Sequence, residues 1–141
     1  MVKWVEKELD SIELGDERLK ERCKKILGGF FDYHNNSINN SFKGWQEVKA
    51  TYRFLANEKV SMDKVLMPHY ETTCRRIVED DIVLCVQDTA TVDYSHRAQK
   101  VEGLGNLRHE SDQGFLVYPT IAFNKNRLCL GVLNAKVFTR E

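Results

Sequence analysis

Through the first eighty residues, apolar side chains recur at intervals of three and four, the spacing that gathers them on one face of an α-helix. Leu19, Cys23, Ile26, Leu27 and Phe30 form one such stripe, with Gly15-Asp16 before it and Gly28-Gly29 after it. The pattern predicts an amphipathic helix capped by Asp16 and closed at the glycine pair. A polar Asn and Ser loop follows, His34 to Ser41, and then Trp45, Val48, Tyr52 and Leu55 share a second helical face. Ser61 can cap a third helix, which Pro68 should break near Met67. The proline then opens a further helix, in which Tyr70, Cys74 and Ile77 continue a stripe up to Glu79-Asp80-Asp81.

At Ile82 the period changes. Ile82 to Val86 is an unbroken apolar run rich in β-branched residues, which predicts a strand covered on both faces and ending near Asp88. Two more strand-like runs, Phe115 to Phe123 and Leu128 to about Phe138, flank Asn124-Lys125-Asn126, a sequence suited to a short hairpin loop. Pro119 cannot donate to a ladder, so the first of these runs needs a bulge or an edge position there. Helices followed by antiparallel strands predict an α+β chain, divided into a helical part, residues 1–80, and a strand part, residues 81–141.

The 141 residues suit one ordinary domain and are short for two. Lys+Arg and Asp+Glu cancel at 21 each, which excludes the strongly basic field of a histone-like protein. Any nucleic-acid surface has to be a local patch. Cys23, Cys74, Cys85 and Cys129 form no C-x-x-C pair and have no His in zinc-ligand register, so they read as four free thiols, as in a cytoplasmic protein. The longest apolar stretch is far below the roughly 20 residues a membrane helix needs.

A carboxylate at the exit of a strand is rigidly held yet open to solvent, which is what a divalent metal site requires, and Asp88 is the candidate. Gln87-Asp88-Thr89-Ala90-Thr91-Val92-Asp93-Tyr94-Ser95-His96, followed by Gly103-Leu104-Gly105, resembles the first catalytic signature of bacterial DDE transposases of the IS-four family, Tn-five-like enzymes. Upstream, Leu14-Gly15-Asp16-Glu17-Arg18, Ala50-Thr51-Tyr52-Arg53-Phe54-Leu55-Ala56-Asn57 and Val60-Ser61 resemble the N-terminal DNA-binding region of the same family. The blocks keep the family's order and span about residues 4 to 138.

The resemblance implies a helical module, residues 1–80, that binds the double-stranded inverted-repeat end of a transposon. It also implies the start of an RNase H-like catalytic domain, residues 81–141, in which Asp88 is the first metal-binding and catalytic carboxylate. Thr89, Tyr94 and His96 are second-tier active-site positions. In the complete enzyme Mg²⁺ or Mn²⁺ would drive cut-and-paste transposition, and the family works as a synaptic dimer. One carboxylate cannot position two divalent ions, and Asp93, Asp112 and Glu141 fall outside the family's patterns for the second Asp and the Glu. The expectation is therefore a fragment that holds no stable metal and performs no strand transfer alone. Within the matched blocks, Ala90, Arg108 and Tyr118-Pro119 depart from the usual residues.

For DNA contact, Arg18, Arg22 and Lys25 lie at i, i+4 and i+7, and Lys49 and Arg53 are spaced likewise on the second helix. The resemblance places Arg18, Arg22 and Arg53 on DNA-contacting positions, whereas Trp45, Tyr52 and Phe54 read as core. Two other classes compete with this reading. One is a non-catalytic remnant or interaction domain, regulating an intact transposase. The other is a self-contained nuclease built on a cluster drawn from Asp88, Asp93, Glu110 and Asp112. The resemblance implies a bacterial, nucleoid-associated protein, and the free thiols and short apolar stretches lead us to expect the cytoplasm.

Overall fold

The computed structural model describes residues 3–96, 101–109 and 111–140. They are α+β, helices first and an antiparallel sheet second. A length suited to one domain here carries two compact units, Met1–Thr72 and Thr73–Glu141. Each has its own source of cohesion: helical stripes buried on one another in the first, a continuous ladder in the second.

The first unit contains α1 (Lys3–Glu8), α2 (Glu17–Asp32), α3 (Ile38–Ser41), α4 (Trp45–Leu55) and most of α5 (Met62–Ile77). Its core gathers Val5, Leu9, Ile12, Leu14, Cys23, Ile26 and Phe54, with Leu19, Leu27 and Phe30 packed against it, so the whole expected α2 stripe is used. Asp16 caps α2 as expected, its carboxylate accepting from the Arg18 N–H at 2.9 Å. The same N–H, together with the Arg18 charge, holds the Asp16 carboxyl below the usual carboxylate range.

Gly28-Gly29 does not end α2, which runs on to Asp32. A Cβ on Gly29 would lie 2.5 Å from the Phe42 ring, whose edge packs on Phe30, so the glycine serves close packing rather than termination. Pro68 likewise lies inside a continuous α5 and is buried there. A proline in a helix interior costs about 3 kcal/mol, against which it buries its ring. Ser61 does accept from the Lys64 N–H, at 3.3 Å.

Lys24 of α2 is buried and clamped between Glu6 of α1 and Glu21, at 2.6 Å and 2.8 Å. Hydrogen bonds to Glu21 and then Glu6 hold its ammonium well above the ordinary lysine range, and the Glu21 carboxyl is lowered in return. A second link joins α1 to α5, where buried Glu8 pairs with His69.

The second unit begins in the last turns of α5, where Arg76 donates to the Leu130 carbonyl at 3.1 Å. This contact draws the helix end into the strand unit, ahead of the 80/81 change of period. Five strands follow: β1 (Val83–Gln87), β2 (Ala90–Asp93), β3 (Gly105–Asn106), β4 (Gln113–Asn124) and β5 (Cys129–Phe138). All the others pair antiparallel with β4. β1 and β2 take successive stretches of one edge, with Gln87 opposite Thr120 and Ala90 opposite Val117.

Asp88 and Thr89 therefore interrupt the partner strand beside Tyr118-Pro119, at a residue that has no N–H to donate. Pro119 thus sits in the central strand and not at an edge, and on the β5 side the register shifts just beyond it, between Thr120 and Ile121. The hairpin loop forms as expected. Asn124 is buried, and its side-chain oxygen accepts from the Asn126 and Leu128 N–H groups, each at 3.0 Å.

The Ile82–Val86 run is not covered on both faces: Leu84 and Val86 of β1, and Ile82 just before it, are exposed, Leu84 by 55%. An apolar run reports what a strand prefers to bury, whereas cover depends on a facing layer. Among the described residues this unit is one sheet with only the end of α5.

The lysine clamp makes stability depend on pH. Glu21 contributes stability fully above its ordinary value of 4.5, and the contribution falls away as pH drops through the lowered folded value. Lys24, being raised, loses its share only as pH climbs beyond the ordinary 10.5. Glu21→Gln should therefore be less stable than wild type in urea at pH 7, with the gap closing by pH 3. An equal gap at both pH values would contradict the clamp. All four cysteines are free, Cys23 buried and the others exposed, and burial pushes the Cys23 thiol up to about 11. A thiol-specific reagent at pH 8 should label three cysteines quickly and Cys23 only on unfolding, which stoichiometry before and after denaturant will check.

Candidate nucleic-acid interface

The side of α4 that faces inward is set by Val48, Thr51 and Phe54, all buried, and not by the expected Trp45-Val48-Tyr52-Leu55 stripe. Thr51 turns its hydroxyl back to the Glu47 carbonyl at 3.0 Å, which lets a polar residue occupy a fully buried position. Phe54 enters the cluster formed by Cys23 and Ile26 of α2. Arg22 is half-buried and pairs with Glu47, so it ties α2 to α4.

The opposite side of α4 is consequently open. Trp45 is 74% exposed and Tyr52 is 50% exposed, which corrects the reading of both as core. Lys49 and Arg53 are exposed too. Spaced at i, i+4, i+7 and i+8, Trp45, Lys49, Tyr52 and Arg53 share one helical face, two cations interleaved with two aromatic rings. Lys43 and Lys59, which flank α4 in the chain, are exposed, and the acid within α4, Glu47, already carries the Arg22 guanidinium.

Such a surface attracts phosphate through the cations and offers flat amphipathic rings for sugar or base contact. The sequence clue missed was Thr51: counting it as a core position rotates the buried stripe and releases Trp45 and Tyr52. Of the other basic candidates on α2, Arg18 is almost fully exposed and reaches back to its own cap Asp16, at 3.5 Å, and Lys25 is exposed.

In the second unit, Asp88 is exposed in the break between β1 and β2, and its Oδ1 accepts from the Thr89 N–H at 2.7 Å. The Tyr94 ring packs 5.8 Å from Phe115, while His96 is exposed in the turn after β2. Asp93 accepts from the hydroxyl and N–H of Ser95, which lower its carboxyl, and so serves as a local turn former. Asp112 accepts from its neighbour Ser111 at 3.1 Å, and Glu110 and Glu141 lie outside the described residues. No group of three or more His, Cys, Asp or Glu that could hold a metal ion occurs among the described residues. Asp88, Asp93 and Asp112 are thus not brought into one cage. Nor is any described helix long and apolar enough to cross a membrane.

Residues 1–60, most of the first compact unit, match the family described as transposase DNA-binding. The matched segment contains α1 to α4, including the whole outward face of α4. The helical unit is thus similar to the DNA-binding part of transposases, which supports a transposase N-terminal region with a DNA-binding role.

Proposed function

We propose that the helical unit binds the double-stranded inverted-repeat end of a transposon of the IS-four type, with the outward face of α4 as the contact surface. The observation that carries this reading is the basic and aromatic face Trp45-Lys49-Tyr52-Arg53, left open by the way α4 is anchored, within a segment matching a transposase DNA-binding family. Lys49 and Arg53 supply phosphate contacts, Arg53 with a planar fork that also suits a guanine edge. Arg18 and Lys25 extend the basic surface along α2. Arg22 serves differently, holding α4 in place through Glu47.

The strand unit is proposed as the opening part of an RNase H-like domain in a cut-and-paste DDE transposase, with Asp88 as its first acidic ligand. A helix-then-antiparallel-sheet order and a solvent-open carboxylate at a strand break support that assignment. The chemistry of Asp88 would wait on further carboxylates and on Mg²⁺ or Mn²⁺, which one monodentate acid does not hold firmly. Work as a transposase dimer, in the cytoplasm at the nucleoid, belongs to the same proposal.

The exposed apolar residues of β1 favour a second reading for this unit, association with another polypeptide. Sedimentation of the purified chain across a concentration series separates the two, since a monomer throughout leaves that reading without support in self-association.

Arg53→Ala should weaken binding to an inverted-repeat duplex several-fold. In the Lys49→Ala/Arg53→Ala pair, the log-log salt slope should become shallower by roughly 0.9 for each phosphate that is no longer neutralised. Asp88→Ala should bind as wild type does. Fluorescence anisotropy over a salt series measures all three, and an unchanged slope in the double variant would remove α4 from the interface.

A further inference from the structure

A cleft of about 200 Å³ opens in the strand unit, lined by Thr89, Thr91, Leu107, Arg108, Leu116 and Arg140. Two glycines allow lining residues to come close to β4 and β3. A Cβ on Gly114 would lie 2.2 Å from the Val92 carbonyl and 2.9 Å from the Leu107 side chain, and one on Gly105 would lie 2.5 Å from the Arg140 carbonyl. The missing side chains let β2, β3, β4 and the residues just past β5 converge this closely. Buried Leu116 is the floor. The Arg140 Nη1 lies 3.5 Å from the Leu107 carbonyl, which brings its guanidinium beside the residue preceding Arg108.

Among the described residues the lining holds two guanidinium groups and two hydroxyls, and no carboxylate. Among the described residues neither Arg108 nor Arg140 is held in an ion pair. Two like charges on one small cleft repel unless an anion sits between them, and guanidinium forks with hydroxyl donors match the oxygens of a phosphate. The volume is below the roughly 300 Å³ at which pockets for whole small molecules begin, so it suits a single phosphate group rather than a complete nucleotide cofactor. Thr89 follows Asp88 directly at the strand break, and Asp88 itself is not among the lining residues.

We propose that this cleft seats one backbone phosphate of a nucleic-acid strand, gripped by Arg108 and Arg140 and by the Thr89 and Thr91 hydroxyls. The proposal rests on the reading of this chain as a DNA-binding protein, and adds to the α4 face a second contact point, in the strand unit.

The test is an amide NMR titration of the full chain at low salt, with a short inverted-repeat duplex in one arm and inorganic phosphate in the other. The duplex should shift the Thr89 and Thr91 amides as well as those of α4. In Arg108→Gln/Arg140→Gln the Thr89 and Thr91 shifts should vanish while the α4 shifts persist, with unchanged core amides showing that the variant folds. Thr91→Val, which keeps both charges, should reduce the Thr89 shift. Movement of α4 alone in wild type would overturn the cleft proposal and leave DNA binding standing. Thr89 and Thr91 shifts that survive the double substitution, or that appear with inorganic phosphate but not with the duplex, would also overturn it. Silence everywhere with the duplex would overturn the DNA reading as well.

Discussion

The orientation of α4 about its own axis governs what the helical unit presents to its surroundings. Phe54 is drawn into the cluster around Cys23 and Ile26, Val48 and Thr51 are buried beside it, and the Arg22–Glu47 pair links α4 to α2 at the half-buried margin. Breaking a partly buried ion pair by removing one partner leaves the other charge uncompensated, so Arg22 and Glu47 have to be kept or replaced together. With the helix fixed in this way, two aromatic rings and two cations point away from the core. Exposing Trp45 and Tyr52 forgoes burial that would stabilise the fold by about 1.5–3 kcal/mol for each large side chain. That cost is intelligible where the rings meet a partner.

In the strand unit the organising constraint is a single long strand. β4 pairs on one edge with β1 and β2 and on the other with β5 and β3, so the irregularities of its neighbours are set by its own sequence. Pro119 falls where the opposing strand breaks, and the break is where Asp88 emerges. Gly114, two residues before the buried Leu116, allows the approach that shapes the cleft. A residue unable to donate and a residue without a side chain thus position the two chemical features of this unit.

Much of this could be read from the chain alone, and the exceptions have physical causes. The α2 stripe, its Asp16 cap, the free thiols and the Asn124 hairpin were legible because each depends on local spacing and short-range hydrogen bonds. The continuation of α2 through Gly28-Gly29 and of α5 through Pro68 was not, because a ring distant in sequence and a buried environment override local preference. The face of α4 was misjudged because Trp and Tyr outrank Thr as core residues until Thr51 satisfies its hydroxyl on its own helix. Arg22 was legible as part of a basic ridge but not as a partner of Glu47, since a contact between helices leaves no trace in the spacing within either one.

The central claim is that the outward face of α4 meets DNA. The chain has two indole N–H groups, one on half-buried Trp4 and one on exposed Trp45, and they give two separable proton–nitrogen resonances. On addition of an inverted-repeat duplex, the account predicts that the Trp45 resonance moves or broadens while that of Trp4 stays in place. A Trp45 resonance unchanged at saturating duplex would contradict it.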